Sequence, residues 1–281
     1  MRALLLGGAG VVGSMLADAW RHRHEVAVAD LPKALERWSR SDAGLERRPI
    51  DVTDPEQVRH AVEGMDAVVH LAAVVPRDAS GAAGEAGQDP RVIDASLRVN
   101  VVSVVHALRS AREAGVGRFV HISSLSVFRD FGRLPIARGA EPDADAPYGL
   151  GKRLAETACR ALAGEDLRVT SLRLAFPTTA ELWPAWRSPG ADASTPARVP
   201  ELADGTRFGA LHPDDLVRAL DAALERPGPP FAALAVTGDT RGVSIDDDLA
   251  ERLLRWRPER REPWLPGGER AVAPRRRESG A

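Results

Sequence analysis

The first fifteen residues constrain this chain most. In Met1-Arg-Ala-Leu-Leu-Leu-Gly-Gly-Ala-Gly-Val-Val-Gly-Ser-Met15, an apolar run at Leu4 to Leu6 is followed by Gly7, Gly10 and Gly13, three apart, where an amphipathic segment begins. A short apolar run of this kind becomes a buried parallel strand. Gly7 permits a tight strand-to-helix turn, Gly10 lets backbone approach a pyrophosphate, and Gly13 lets helix and strand pack closely. The helix start, with Val11 and Val12 in its first turn, offers unpaired N–H groups and a partial positive charge. The reading is a dinucleotide-binding turn. A glycine triplet alone is a weak signal; directly after an apolar run it is a stronger one.

The rest of the chain suits that start. At 281 residues it can bury a large core, and its formal charge of −2 argues against nucleic acid or an anionic membrane as partner. The N-terminal apolar run is too short for a signal peptide or a membrane span. Cys159 is the single cysteine, so no intrachain disulfide can form and a reducing cytoplasm is expected. Strands are predicted at 2–6, 25–29, 45–50, 66–73, 118–122, 168–174 and 231–237. Helices are predicted at 11–21, after Pro55 with Asp54 as cap, at 91–114, 147–163 and 213–226, and at 244–256 capped by Ser244. Strands alternating with helices imply a doubly wound α/β fold with a parallel sheet. The expected division is a nucleotide-binding domain over 1–174, a small substrate-covering region over 175–265 with a strand and helices returning to the main body, and a disordered tail over 266–281. Residues 76–90 read as a surface loop or as a lid. His22 and His24 have no further ligand nearby in sequence, so no metal site is expected.

Tyr148-Gly-Leu-Gly-Lys152 is the second anchor, and Tyr148 is the only tyrosine. At a spacing of four on a helix, both side chains project from one face. A phenol is a poor base at neutral pH until a cation lowers its pKa, and Lys152 supplies that cation one turn away. Ser124 ends a different strand, where its hydroxyl could hold a substrate oxygen.

Together these residues resemble the extended short-chain dehydrogenase/reductases, also called the NAD-dependent epimerase/dehydratase family. The resemblance covers roughly residues 1 to 237. It rests on Gly7-x-x-Gly10-x-x-Gly13, Asp30, Asp51-Val52, His70-Leu-Ala-Ala73, Asn100, Ser123-Ser124, Tyr148-x-x-x-Lys152, Leu172-Arg173-Leu174 and His212-Pro-Asp-Asp-Leu216. It implies a Rossmann-type fold, with Tyr148 as acid/base, Lys152 lowering its pKa and holding the nicotinamide ribose, and Ser124 orienting the reacting oxygen. Ser124 is preferred to Ser123 because the family's catalytic hydroxyl lies four before an aromatic, here Phe128. Asp51 and Val52 would bracket the adenine, Leu71, Ala72 and Ala73 would line the cofactor, and Asn100 would support the site. Family members are often dimers, which points to a homodimer through the helices at 91–114 and 147–163. Asp30 ends the second strand, 17 residues beyond Gly13; its carboxylate can accept both ribose hydroxyls and would repel a 2′-phosphate, so the cofactor is NAD. Lys33 and Arg37 keep NADP as the alternative.

Within the family, dehydratases carry an Asp-Glu pair after the catalytic hydroxyl, where this chain has Leu125-Ser126. Nucleotide-sugar epimerases carry Asn before the Pro that follows strand six, where this chain has Phe176. Those departures favour net oxidation or reduction of a smaller, sugar-like or other hydroxylated substrate. The chain is similar to the uronate dehydrogenases in length, in Ala29-Asp30-Leu31 and in the late Trp256-Arg-Pro258. For a sugar acid, Arg187 and Arg198 are the candidate carboxylate partners; each taken singly also reads as a surface charge. An epimerase with tightly held NAD and a non-catalytic NAD sensor stay open as alternatives.

Overall fold

The computed structural model describes residues 1–38, 45–76, 89–188, 191 and 194–265. Seven parallel strands form one sheet: β1 (Arg2–Leu6), β2 (Glu25–Asp30), β3 (Leu45–Pro49), β4 (Ala67–His70), β5 (Arg118–Ser124), β6 (Arg168–Leu174) and β7 (Phe231–Val236). Their spatial order is β3-β2-β1-β4-β5-β6-β7. The chain winds outward from β1 to β3, then crosses back to place β4 on the other side of β1. That reversal opens a crevice at the carboxyl ends of β1 and β4, where ligands of open α/β sheets bind.

Among the described residues eight α-helices flank the sheet: α1 (Val11–Trp20), α2 (Pro32–Arg37), α3 (Pro55–Val62), α4 (Pro90–Leu97), α5 (Ser103–Glu113), α6 (Pro147–Leu162), α7 (Pro213–Glu225) and α8 (Leu249–Leu254). Strand β1 shows why both faces must be covered, since alternate residues enter opposite cores. Ala3 and Leu5 pack with α1, α7 and α8, while Leu4 and Leu6 pack with α3, α5 and α6. Helix α3 starts where the sequence predicts, with the Asp54 carboxylate accepting from the N–H groups of Glu56 and Gln57 and Pro55 in the first turn.

Three expectations are corrected. Strand β4 ends at His70 rather than Ala73, because the N–H groups of Leu71 and Ala72 both donate to the Leu6 carbonyl (2.7 and 2.9 Å) and turn the chain against Gly7. The long helix at 91–114 is interrupted by a π turn over Arg98–Val102. The extra residue there lets the Asn100 side chain take both polar groups of Val74, Oδ1 accepting from its N–H at 2.9 Å and Nδ2 donating to its carbonyl at 2.7 Å. Ser244 does not cap a helix: its N–H and hydroxyl both donate to Asp239 Oδ2, and α8 begins only at Leu249. Within 175–265, β7 pairs with β6, and α7 and α8 pack into the main core. The tail at 266–281 and most of the suspected lid (77–88) lie outside the described residues.

Candidate active site

One large cavity, about 600 Å³, opens at the crevice and is lined by the glycine turn, the end of β5 and the start of α6. Its floor follows from the glycines. Gly7 holds φ +81°, a conformation costly for any residue with a side chain, and a Cβ there would lie 2.4 Å from Ala72 N. A Cβ at Gly13 would lie 2.3 Å from the Gly8 carbonyl, so this glycine closes the turn on itself. At Gly10 a Cβ would meet only the Gly7 carbonyl at 3.6 Å, leaving the α1 terminus open toward the cavity that Gly10, Val11 and Val12 also line. Helix α1 has no side-chain cap.

Asp30 caps the turn from β2: its carboxylate accepts from Ala9 N–H at 3.0 Å and Leu31 N–H at 2.8 Å. Each oxygen keeps a further lone pair for a hydroxyl donor. Asp51 is committed to the Thr53 N–H and hydroxyl (2.8 and 2.7 Å), and Val52 is buried. Neither lines the main cavity. Leu71 and Ala73 do, whereas Ala72 is turned onto Gly7. Asn100 is fully buried and spends its amide on Val74 and Ser96, so it braces the loop after β4 rather than facing the cavity.

The helix α6 brings Tyr148 and Lys152 to the same cavity as Ser124. Ser124 Oγ donates to Ser126 Oγ at 3.0 Å and accepts from Ser126 N–H. Its neighbour Ser123 points the other way, donating to the buried Glu156 at 2.6 Å. Lys152 is 1% exposed; its ammonium donates to the Ile122 carbonyl at 2.7 Å and lies 5.8 Å from the centre of the Tyr148 ring. Burial lowers its pKa to about 8, an effect that Cys159 and Glu156 only partly oppose. The Tyr148 phenol is pushed up to about 12 by burial, with a hydrogen bond to Ser124 acting in the opposite sense. In the free protein, desolvation of the phenolate sets the direction of the shift. The resting phenol holds its proton.

Arg187 and Arg198, chosen from sequence as carboxylate partners, do not line the cavity. Arg198 is exposed, and its backbone pairs with that of Trp186 through two 2.9 Å hydrogen bonds; Arg187 Nη1 donates to the Thr195 carbonyl. This pairing sets Trp186, not the arginines, into the cavity wall. Besides Lys152, the cation that lines it is Arg129, which no spacing signalled and which pairs with Asp145 at 3.0 Å. Phe176, singled out in the sequence, lines the cavity beside Phe131. His212 caps α7, its Nδ1 accepting from Asp214 N–H at 3.1 Å. Among the described residues no cluster of three His, Cys, Asp or Glu side chains could hold a metal, and no helix is long and apolar enough to cross a membrane.

A model of the NAD-dependent epimerase/dehydratase family matches residues 3–231. The chain is 24% identical over 255 residues to a uronate dehydrogenase of Pseudomonas syringae pv. tomato, covering 90% of this chain and 80% of that protein. It is 29% identical over 180 residues to a 2-alkyl-3-oxoalkanoate reductase of Stenotrophomonas maltophilia, covering 62% of this chain and 49% of the relative; the match thus spans about half that protein's length. A solved UDP-glucose-4-epimerase from Stenotrophomonas maltophila with bound NAD superposes with a TM-score of 0.69 at 21% identity, covering 92% of this chain and 93% of that one, a likeness of fold.

Proposed function

This chain belongs to the NAD-dependent epimerase/dehydratase family, and on that premise we propose that it is an oxidoreductase that interconverts a secondary alcohol and a ketone on a small substrate through Ser124, Tyr148 and Lys152. The observation that carries the reading is the single cavity shared by the glycine turn and these three side chains. The residues present fit a dinucleotide. Gly10 leaves the α1 terminus open to a diphosphate, Asp30 keeps acceptors for ribose hydroxyls, and Lys152 uses one of its three N–H donors on Ile122. The bound nicotinamide supplies or accepts the hydride. Tyr148 moves the proton: its phenol gives one to the ketone oxygen in reduction, and its phenolate takes one from the alcohol in oxidation. Ser124 fixes that oxygen by hydrogen bonding, and Lys152 favours the phenolate once the reacting groups exclude water from the site.

Replacing Tyr148 by Phe tests this. Turnover should fall by a factor on the order of 10²–10⁴ while NAD affinity is retained; unchanged turnover would overturn the mechanism. The second reading, an epimerase that regenerates its NAD, differs in outcome: it forms product without accumulating reduced nicotinamide. The same reading includes a reducing cytoplasmic setting and a homodimer through the α4–α5 and α6 region. Val102 and Leu154 are exposed there at 43% each. Light scattering of the purified protein would reveal a monomer if the dimer is wrong.

A further inference from the structure

Beyond Ser124 and Tyr148 the cavity wall is aromatic. The Phe176 ring stacks on Phe131 with centroids 5.0 Å apart and meets Trp186 edge-on at 5.1 Å, while Phe208 backs it at 5.8 Å. Phe176 adopts φ +48°, which a bulky residue rarely does. Such a conformation persists where its surroundings over-determine it. Here the Phe176 carbonyl accepts from Leu211 N–H at 3.1 Å and three rings hold its side chain. The fold thus commits backbone strain to keeping an apolar ring at the position before Pro177.

Charge in this half of the cavity is already cancelled. Among the described residues the ionic groups lining the whole cavity are Arg129, Asp145 and Lys152. Arg129 pairs with Asp145 at 3.0 Å and reaches the Asp143 carbonyl, and Lys152 lies with the catalytic groups. A carboxylate entering here would compete with Asp145 for Arg129 and be repelled by it. A neutral oxygen meets no such obstacle. The Trp186 ring lines the wall, and its indole N–H is buried with no acceptor among the described residues.

Resting on the oxidoreductase reading of the same cavity, we propose that the substrate is a neutral secondary alcohol or ketone carrying an apolar alicyclic or aryl ring. That ring packs against Phe131, Phe176 and Trp186, in place of the sugar acid suggested by sequence. Rings buried against aromatic walls gain both area burial and favourable ring geometry.

Calorimetric titration of the enzyme–NADH complex with 2-tetralone, a neutral bicyclic ketone, and separately with D-glucuronate tests the assignment. The ketone should bind at least ~10-fold more tightly than the sugar acid, and Phe176→Ala and Trp186→Ala should each weaken it by about 10-fold, roughly 1.4 kcal/mol. Phe176→Leu, which keeps an apolar side chain, covers a failure of the alanine variant to fold. Trp186→Phe keeps a smaller aromatic ring and should weaken binding less than Trp186→Ala. Glucuronate binding as tightly as the ketone, no ketone binding, or ketone affinity unmoved by every variant would each overturn the substrate class. The underlying reading fails separately: in that case ketone binding responds to the Phe176 and Trp186 variants, yet no turnover depends on Tyr148.

Discussion

A buried ammonium with one hydrogen-bond acceptor should weaken the fold that holds it, and Lys152→Met measures by how much. The lysine is 1% exposed, and its ordinary pKa of 10.5 falls to about 8 because burial penalises the charge. At ~1.4 kcal/mol for each tenfold change in proton affinity, the native state carries a cost of about 3 kcal/mol near neutral pH. The sign follows from proton counting. Between about 8 and 10.5 the unfolded chain keeps a proton that the native chain has released, so stability rises with pH across that window. Below it the full cost applies; above it the cost vanishes. Methionine keeps most of the stem volume and removes the charge, but it leaves the Ile122 carbonyl without its donor, a loss of about 1–2 kcal/mol. The net expectation is a gain of about 1–2 kcal/mol near neutral pH, or roughly 2–6 °C in Tm, together with loss of turnover. Thermal unfolding without added NAD, followed by circular dichroism across a pH series, reads it. A variant less stable than the parent near neutral pH would refute the reasoning. So would an advantage that fails to shrink as the pH passes from about 8 to 10.5.

Other predictions are shorter. Glu156 accepts from Ser123 at 2.6 Å and from Arg173 at 2.9 and 2.7 Å, with side-chain exposures of 8% and 14% for the ion pair. Glu156→Gln leaves the guanidinium unpaired, so calorimetry should show a loss of about 3–5 kcal/mol. In Gly13→Ala the new methyl would sit 2.3 Å from backbone at Gly8, which cannot yield cheaply; a denaturant midpoint should report a loss of about 1–3 kcal/mol and NAD affinity should fall with it. Asp30→Ala removes the acceptor for Ala9 N–H and Leu31 N–H; NAD binding measured by calorimetry should weaken about 10-fold, about 1.4 kcal/mol, while NADP loses less.

The parts legible in sequence are those fixed by neighbours a few residues away. Gly7 needs its positive φ because of the turn immediately around it, Asp54 caps the helix that begins at the next residue, and Tyr148 and Lys152 share a face through helical spacing alone. What stayed hidden depends on distant partners. The π turn at Arg98–Val102 exists because Asn100 reaches Val74 across 26 residues. Ser244 looked like a helix cap, yet Asp239 claims both its donors. Arg129, Phe131 and Trp186 come together through irregular loops, where no periodicity marks which side chain turns inward. Arg187 and Arg198 show the converse: residue type suggested a role, yet it is Trp186, paired through its backbone with Arg198, that lines the cavity.

The polar layer beneath α6 explains why Lys152 bears its cost. His70, His121 and Ser171 are register partners across β4, β5 and β6, all fully buried. His70 bonds Ser103 and His121 bonds Ser171, and one nitrogen of each ring has no partner among the described residues. Burial, reinforced by the charge on Lys152, drives His70 down to about 3 and His121 well below its ordinary value, so neither ring contributes charge. The one nearby carboxylate, Glu156, is committed to Arg173. A buried cation left short of partners beside a phenol is stabilising only when negative charge develops at that phenol. Under the proposed mechanism the interaction is weak in the resting protein and strengthens as the phenol gains negative charge.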